Sequence, residues 1–167
     1  MPLLIVDLVD HYGQDCDLSE KAPTTETVQA GIEKLLAAQK PLLKSMESVH
    51  DLVRWRDEVV RLARTRDYAI CSLADLLVDG EETGRVAVQA GITAWEALLA
   101  AAIRRARDNR ELAPDTDPGR LATGLMAALQ GGLLLARTTR DVRQLETALD
   151  MALGYVQAHA LTGRGTT

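Results

Sequence analysis

Between Leu121 and Leu135, Gly124, Ala128 and Gly132 stand four residues apart, as do Ala127 and Gly131, beside Leu121, Leu125, Leu129, Leu133 and Leu135. Residues three and four apart share one face of a helix, whereas a strand needs alternation. Glycine inside a helix costs about 1 kcal/mol against alanine, so glycines here predict a packing reason. The simplest reason is close approach of another helix, either from the same chain or from a second copy in a two-fold contact. Leu145, Ala148, Leu149, Ala152, Leu153 and Val156 give the next segment an apolar face of its own. Two such helices from each of two chains make a four-helix bundle. The expected dimer contact is Leu121, Gly124, Leu125, Ala128, Gly131, Gly132 and Leu135, with Leu145, Leu149, Ala152 and Leu153.

The rest of the chain is helical too. A first helix follows Pro23, capped by Thr24 or Thr25, with Val28, Ile32, Leu35, Leu36, Gln39, Leu43 and Met46 as its stripe and a kink or break at Pro41. A second starts with Asp51 as cap, turns Leu52, Trp55, Val59 and Leu62 inward, and pairs Arg54 with Glu58 and Asp57 with Arg61. A short helix capped by Ser72 ends at Asp79-Gly80, and the longest runs from Glu82 to about Arg110. Asp117-Pro118 is a capping carboxylate followed by proline at the first helical position, opening a helix to about Thr138. Asp141 caps the last, with Gln144 completing a capping box, and that helix reaches about Ala160. No strand pattern appears. The expectation is an all-α antiparallel bundle of about six helices.

Composition agrees: hydrophobic residues are 47% and aromatics only 3%, with no Phe, a palette that favours helix. A length of 167 residues suits one domain with a core. The expected layout is an N-terminal segment over residues 1–23, one domain over 24–162 and a disordered tail over 163–167. Net charge is −5 and the pI about 5.2. Nucleic-acid binders need a cationic surface to displace counterions, so this chain alone is a poor DNA binder. Cys16 and Cys71 fit no metal spacing and are read as free thiols. The start has no basic segment or cleavage site, and no uninterrupted apolar run reaches about 18 residues. A cytoplasmic protein without membrane contact is expected.

Candidate chemistry is sparse. Glu47-Ser48-Val49-His50 has the spacing of a di-iron ligand pair, but no acid stands three residues before His11 or His159. No metal, cofactor or catalytic residue is expected. Cys71 with His50 or His11 lacks any oxyanion-hole signal or nucleophile turn, so an enzyme is not expected. Arg54, Arg56, Arg61, Arg64 and Arg66 alternate with Asp51, Asp57, Glu58 and Asp67, a solvated, paired face. Trp55 and Trp95 sit on inward stripes, either as core fillers or as walls of an apolar pocket between helices. Tyr68, Met126 and Gln130 are placed to join them, and Gln130, polar on an apolar face, needs a hydrogen-bond partner.

Several phrases together resemble the C-terminal domain of TetR-type repressors, in the group that includes the LmrA/YxaF-like regulators. They are Trp95-Glu96-Ala97-Leu98, the run from Glu111 to Pro118, Leu121-Ala122, and Leu129 to Arg137 with its Gln130-Gly131-Gly132. Leu52 to Val60, with Arg54-Trp55-Arg56-Asp57, and the turn Ile70-Cys71-Ser72-Leu73-Ala74 are similar to further phrases of that group. The resemblance implies a non-enzymatic regulator: a homodimer with a small hydrophobic effector bound at Trp55, Tyr68, Trp95, Met126 and Gln130. It implies that the helix from Thr25 to Ser48 links the pocket to the DNA reader. Such regulators carry a three-helix reader of roughly fifty residues ahead of this region. Here Ser19-Glu20-Lys21-Ala22 and His11-Tyr12 echo its end, and eighteen residues precede Ser19. The expectation is a missing or truncated reader, with DNA contacted only through a reader absent from this chain. The alternative is a reader-less helical dimer that sequesters ligand or pairs with a full-length regulator.

Overall fold

The computed structural model describes residues 25–65 and 82–161. The expected helix at Ser72, Tyr68, Cys16, Cys71 and the tail from residue 163 lie outside them. The described residues form five helices: α1 (Thr25–Ser45), α2 (Val49–Thr65), α3 (Glu82–Asp108), α4 (Pro118–Thr139) and α5 (Arg143–Gln157). No strand occurs among them, only an isolated antiparallel bridge between Leu112 and Ala160. The fold is all-α.

Packing follows from short connections and one pair of anchor points. Residues 109–117 join α3 to α4 and 140–142 join α4 to α5, so each pair forms an antiparallel hairpin. α1 runs parallel to α3. Ile32 meets Gly91, and fourteen residues further along each helix (46 − 32 and 105 − 91) the Met46 carbonyl meets Arg105. α2 docks antiparallel on α5 through Arg56–Asp150 at 2.8 Å and Arg64–Glu146. One core cluster joins the helices, with Ile32, Leu43, Trp55, Trp95, Leu99, Ile103, Leu125, Leu129, Leu145 and Leu149 all buried. Two stretches, Arg85–Asp108 and Pro118–Thr139, are long and apolar enough by composition to cross a membrane. One side of each lies in this core.

The helix ends refine the sequence expectations. α1 continues through Pro41 to Ser45, so of the expected kink or break the break does not occur. Asp51 is not the cap of α2. Ser48 precedes the helix, its Oγ accepting from the Asp51 N–H at 3.0 Å while the Asp51 carboxylate accepts from the Ser48 N–H at 3.1 Å. This is a reciprocal box with the acid at the third helical position. The α2 arginines are paired as expected, but with other partners: Arg54 with Asp51, and Arg61 with Glu58 at 2.7 Å. Side chains three apart suffice there, so the pairs expected at four-residue spacing give way. Asp117 caps α4 as the sequence indicates, accepting from the Gly119 and Arg120 N–H groups at 2.9 and 3.2 Å. Asp141 is not the cap of α5: Val142 occupies that position without a side-chain cap bond, while Asp141 accepts from the Arg143 N–H at 3.0 Å and pairs with the Arg143 guanidinium rather than with the Gln144 side chain. α3 ends at Asp108, followed by Arg110 with φ of 64°, and α5 ends at Gln157.

The box at α2 has a measurable consequence. Backbone donation from Glu47 and the Ser48 hydroxyl hold the Asp51 carboxyl below its ordinary value of 3.8. A depressed carboxylate contributes stability that is present above the unfolded value and lost as pH falls through the folded one. Asp51→Ala is expected to lower stability at pH 7 by about 1 kcal/mol, or about 2–4 °C in Tm. The gap to wild type should narrow below pH 3.8, as read by circular dichroism melts across pH. A gap that widens on acidification would refute the assignment.

Candidate ligand-binding site

Trp55 on α2, Trp95 on α3 and Met126 on α4 are all buried, at 1%, 5% and 2% exposure. Gln130 on α4 is half-buried and partnered, as a polar group on an apolar face should be. Position along the bundle relates them. Trp95 lies thirteen residues before the end of α3 (108 − 95), and Gln130 twelve after the start of α4 (130 − 118). At 1.5 Å per residue in an antiparallel hairpin, both stand about 18–20 Å from the hairpin's closed end. Met126 is eight residues into α4 (126 − 118), and Trp55 six into α2 (55 − 49). Val49, at the start of α2, donates to the Glu111 carboxylate at that same closed end, at 2.7 Å. The four residues thus span about 10 Å of bundle length on three helices.

The indole nitrogens carry a feature that composition did not indicate. Trp55 Nε1 and Trp95 Nε1 are both buried, and neither has a hydrogen-bond partner among the described residues. Each buried unpaired donor costs roughly 1–3 kcal/mol. Nothing in residue spacing announces this, because it depends on what the neighbouring helices fail to offer.

The residues expected at a dimer contact divide into two groups. Leu121, Leu125, Leu145, Leu149 and Leu153 are buried in the subunit's own core. Gly132 belongs with them: a Cβ there would meet Leu145 Cδ1 at 2.9 Å and Leu145 Cα at 3.0 Å, so it marks the α4–α5 crossing within one chain. Gly124, Gly131 and Leu135 are exposed, and Ala128 and Ala152 half-buried. A Cβ at Gly124, Gly131 or Gly154 would meet nothing within 4 Å. Beside them lie exposed Leu134, Leu135 at 49%, Tyr155 at 50% and Met151 at 74%. Met151, Gly154, Tyr155 and Ala158 follow helical spacing on the outer side of α5, a signal that was present in the sequence but lay opposite the Leu stripe. Exposed apolar side chains and bare glycines on the same two helices make this a candidate interaction surface.

This region carries the resemblance to known proteins. Residues 73–152 match the family described as "Tetracyclin repressor-like, C-terminal domain". The tetracycline-repressor-like segment takes in α3, α4 and most of α5, and so Trp95, Met126, Gln130 and the exposed face as far as Met151. No curated protein and no solved structure matches the chain.

A polar latch was also missed by sequence reasoning. Arg105 Nε donates to the Met46 carbonyl at 2.7 Å and its Nη2 to Leu43, while Asn109 Nδ2 donates to the Glu47 carbonyl at 2.9 Å. A guanidinium at a helix C-terminus satisfies free carbonyls and suits the negative end of the dipole. The C-terminal end of α1 is thereby tied to the end of α3. Glu47 and His50 are exposed, and no group of three metal-ligating side chains occurs among the described residues.

Proposed function

We propose that this chain is the ligand-sensing, dimerising regulatory part of a TetR-type transcriptional regulator, acting in the cytoplasm and not as an enzyme. The observation that carries the reading is the match of residues 73–152 to the tetracycline-repressor-like C-terminal domain. The exposed face of α4 and α5 supports a second copy as its partner. Bare glycines at 124, 131 and 154 let backbones approach, and Leu135, Met151 and Tyr155 supply apolar area to bury. A small hydrophobic effector at Trp55, Trp95, Met126 and Gln130, with Tyr68 as a further wall, biases α1 through its packing on α3. Because Arg105 and Asn109 hold the C-terminal end of α1, displacement is taken up at the N-terminal end, toward an attached DNA reader. With a net charge of −5 and a pI of about 5.2, the chain is acidic overall, which disfavours operator binding by itself.

Sedimentation velocity of the purified chain at micromolar concentration is expected to give a single dimeric species. A thermal-shift screen of hydrophobic metabolites and antibiotics is expected to give ligands that raise Tm, since binding to the folded state alone stabilises it. A monomer with no stabilising ligand would end this reading.

A further inference from the structure

We infer that the effector is a flat, apolar molecule bearing a carbonyl-type oxygen, and that this oxygen is held by the buried indole N–H of Trp95, while the Trp55 N–H, further along the bundle, is open to a second acceptor at the ligand's other end. The inference rests on the sensing reading above and names the chemistry of that same site. Both tryptophans of the chain are more than nine-tenths buried, and both leave Nε1 without a partner among the described residues. An indole N–H only donates, so whatever completes it must accept: a ketone, amide, carboxylate or ether oxygen. Buried tryptophan N–H groups ordinarily find such a partner, and tryptophans that only filled the core would not need a free donor.

The alternatives fit worse. A pure hydrocarbon would leave both donors unsatisfied, and an ammonium group would add donors where the two indoles need acceptors. Gln130, the polar side chain that the sequence singled out, is already partnered; of the buried side-chain atoms without a partner among the described residues, two are the indole nitrogens, and the others, Arg56 Nε and Thr116 Oγ1, are not among the expected ligand contacts. Trp95 and Trp55 stand about 10 Å apart along the bundle axis, a length that one elongated ligand of two fused rings can span.

The test uses matched probes that differ only in the acceptor: 2-acetylnaphthalene against 2-isopropenylnaphthalene, and 1-indanone against 1-methyleneindane. Each pair is titrated into the 15N-labelled full chain while the two indole N–H resonances are followed, assigned with Trp55→Phe and Trp95→Phe. The ketones are expected to move the Trp95 Nε1–H downfield and to bind about tenfold or more tightly than their olefins. Trp95→Phe is expected to abolish that preference, bringing ketone and olefin affinities to within about twofold of each other. If ketone and olefin bind alike, or the indole resonances stay in place while ligand binds, the acceptor assignment is overturned and the sensing reading stands. If no member of either pair binds, the acceptor assignment is overturned, while the sensing reading is decided separately by the oligomeric state and the thermal-shift screen. The wild-type resonances decide the matter even where a tryptophan variant does not fold.

Discussion

Gly131→Leu is expected to convert a dimer into a folded monomer, whereas Gly132→Leu, one residue on, is expected to damage the fold itself. At Gly131 a side chain enters open space on the exposed face, so the subunit tolerates it and even gains helix propensity of about 1 kcal/mol. The same side chain blocks a second copy from approaching the bare backbone. At Gly132 the first added carbon already lies 2.9 Å from Leu145 Cδ1 and 3.0 Å from Leu145 Cα. Backbone on both sides of that contact cannot retreat as a side-chain tip can, so overpacking should cost about 3 kcal/mol, or about 6–12 °C in Tm. Sedimentation velocity separates the first effect and thermal melting the second. A Gly131→Leu variant that remains dimeric would place the contact elsewhere.

Gly91→Ala is expected to destabilise the protein although alanine is the better helix former. The new Cβ would lie 2.5 Å from Ile32 Cγ2, where α1 crosses α3. That methyl branches directly from Cβ, and the β-branched side chain is stiff at χ1 inside a helix, so it cannot swing aside. After about 1 kcal/mol of propensity gain, the net loss should be about 1–2 kcal/mol by urea denaturation. Ile32→Leu moves the branch point outward and should restore most of it in the double variant. Ile32→Val keeps the offending methyl and should not. Equal rescue by both would mean that the crossing simply relaxes. Trp95 stands one turn beyond Gly91 on α3, so under the proposed sensing function the same crossing would couple the ligand site to α1.

Much of the architecture was legible because it is local. Apolar periodicity located α3, α4 and α5, and Asp117-Pro118 marked the start of α4, since a cap and a fixed φ act within one turn. Asp51 was read as the cap of α2, where Ser48 is, because serine and aspartate can both cap; the reciprocal bonds, formed only once the backbone turns, decide between them. The ion pairs of α2 were foreseen as a paired face but not by partner. Arg56 and Arg64 reach across to α5, which spacing within one helix does not reveal.

The sequence alone determined the all-α class, the helix hairpins, the inward placement of Trp55 and Trp95, and the presence of a close helix crossing among the glycines of α4. These follow from propensity and period, which each residue carries with it. Only the tertiary structure decided which glycine serves which contact. Gly132 is spent on Leu145 within the chain, while Gly124 and Gly131 face outward, because neighbouring residues on a helix point about 100° apart and the position of α5 selects between them. It also decided that the two indole donors lie in the core without a partner among the described residues, since a buried N–H is satisfied or orphaned by what other helices bring to it.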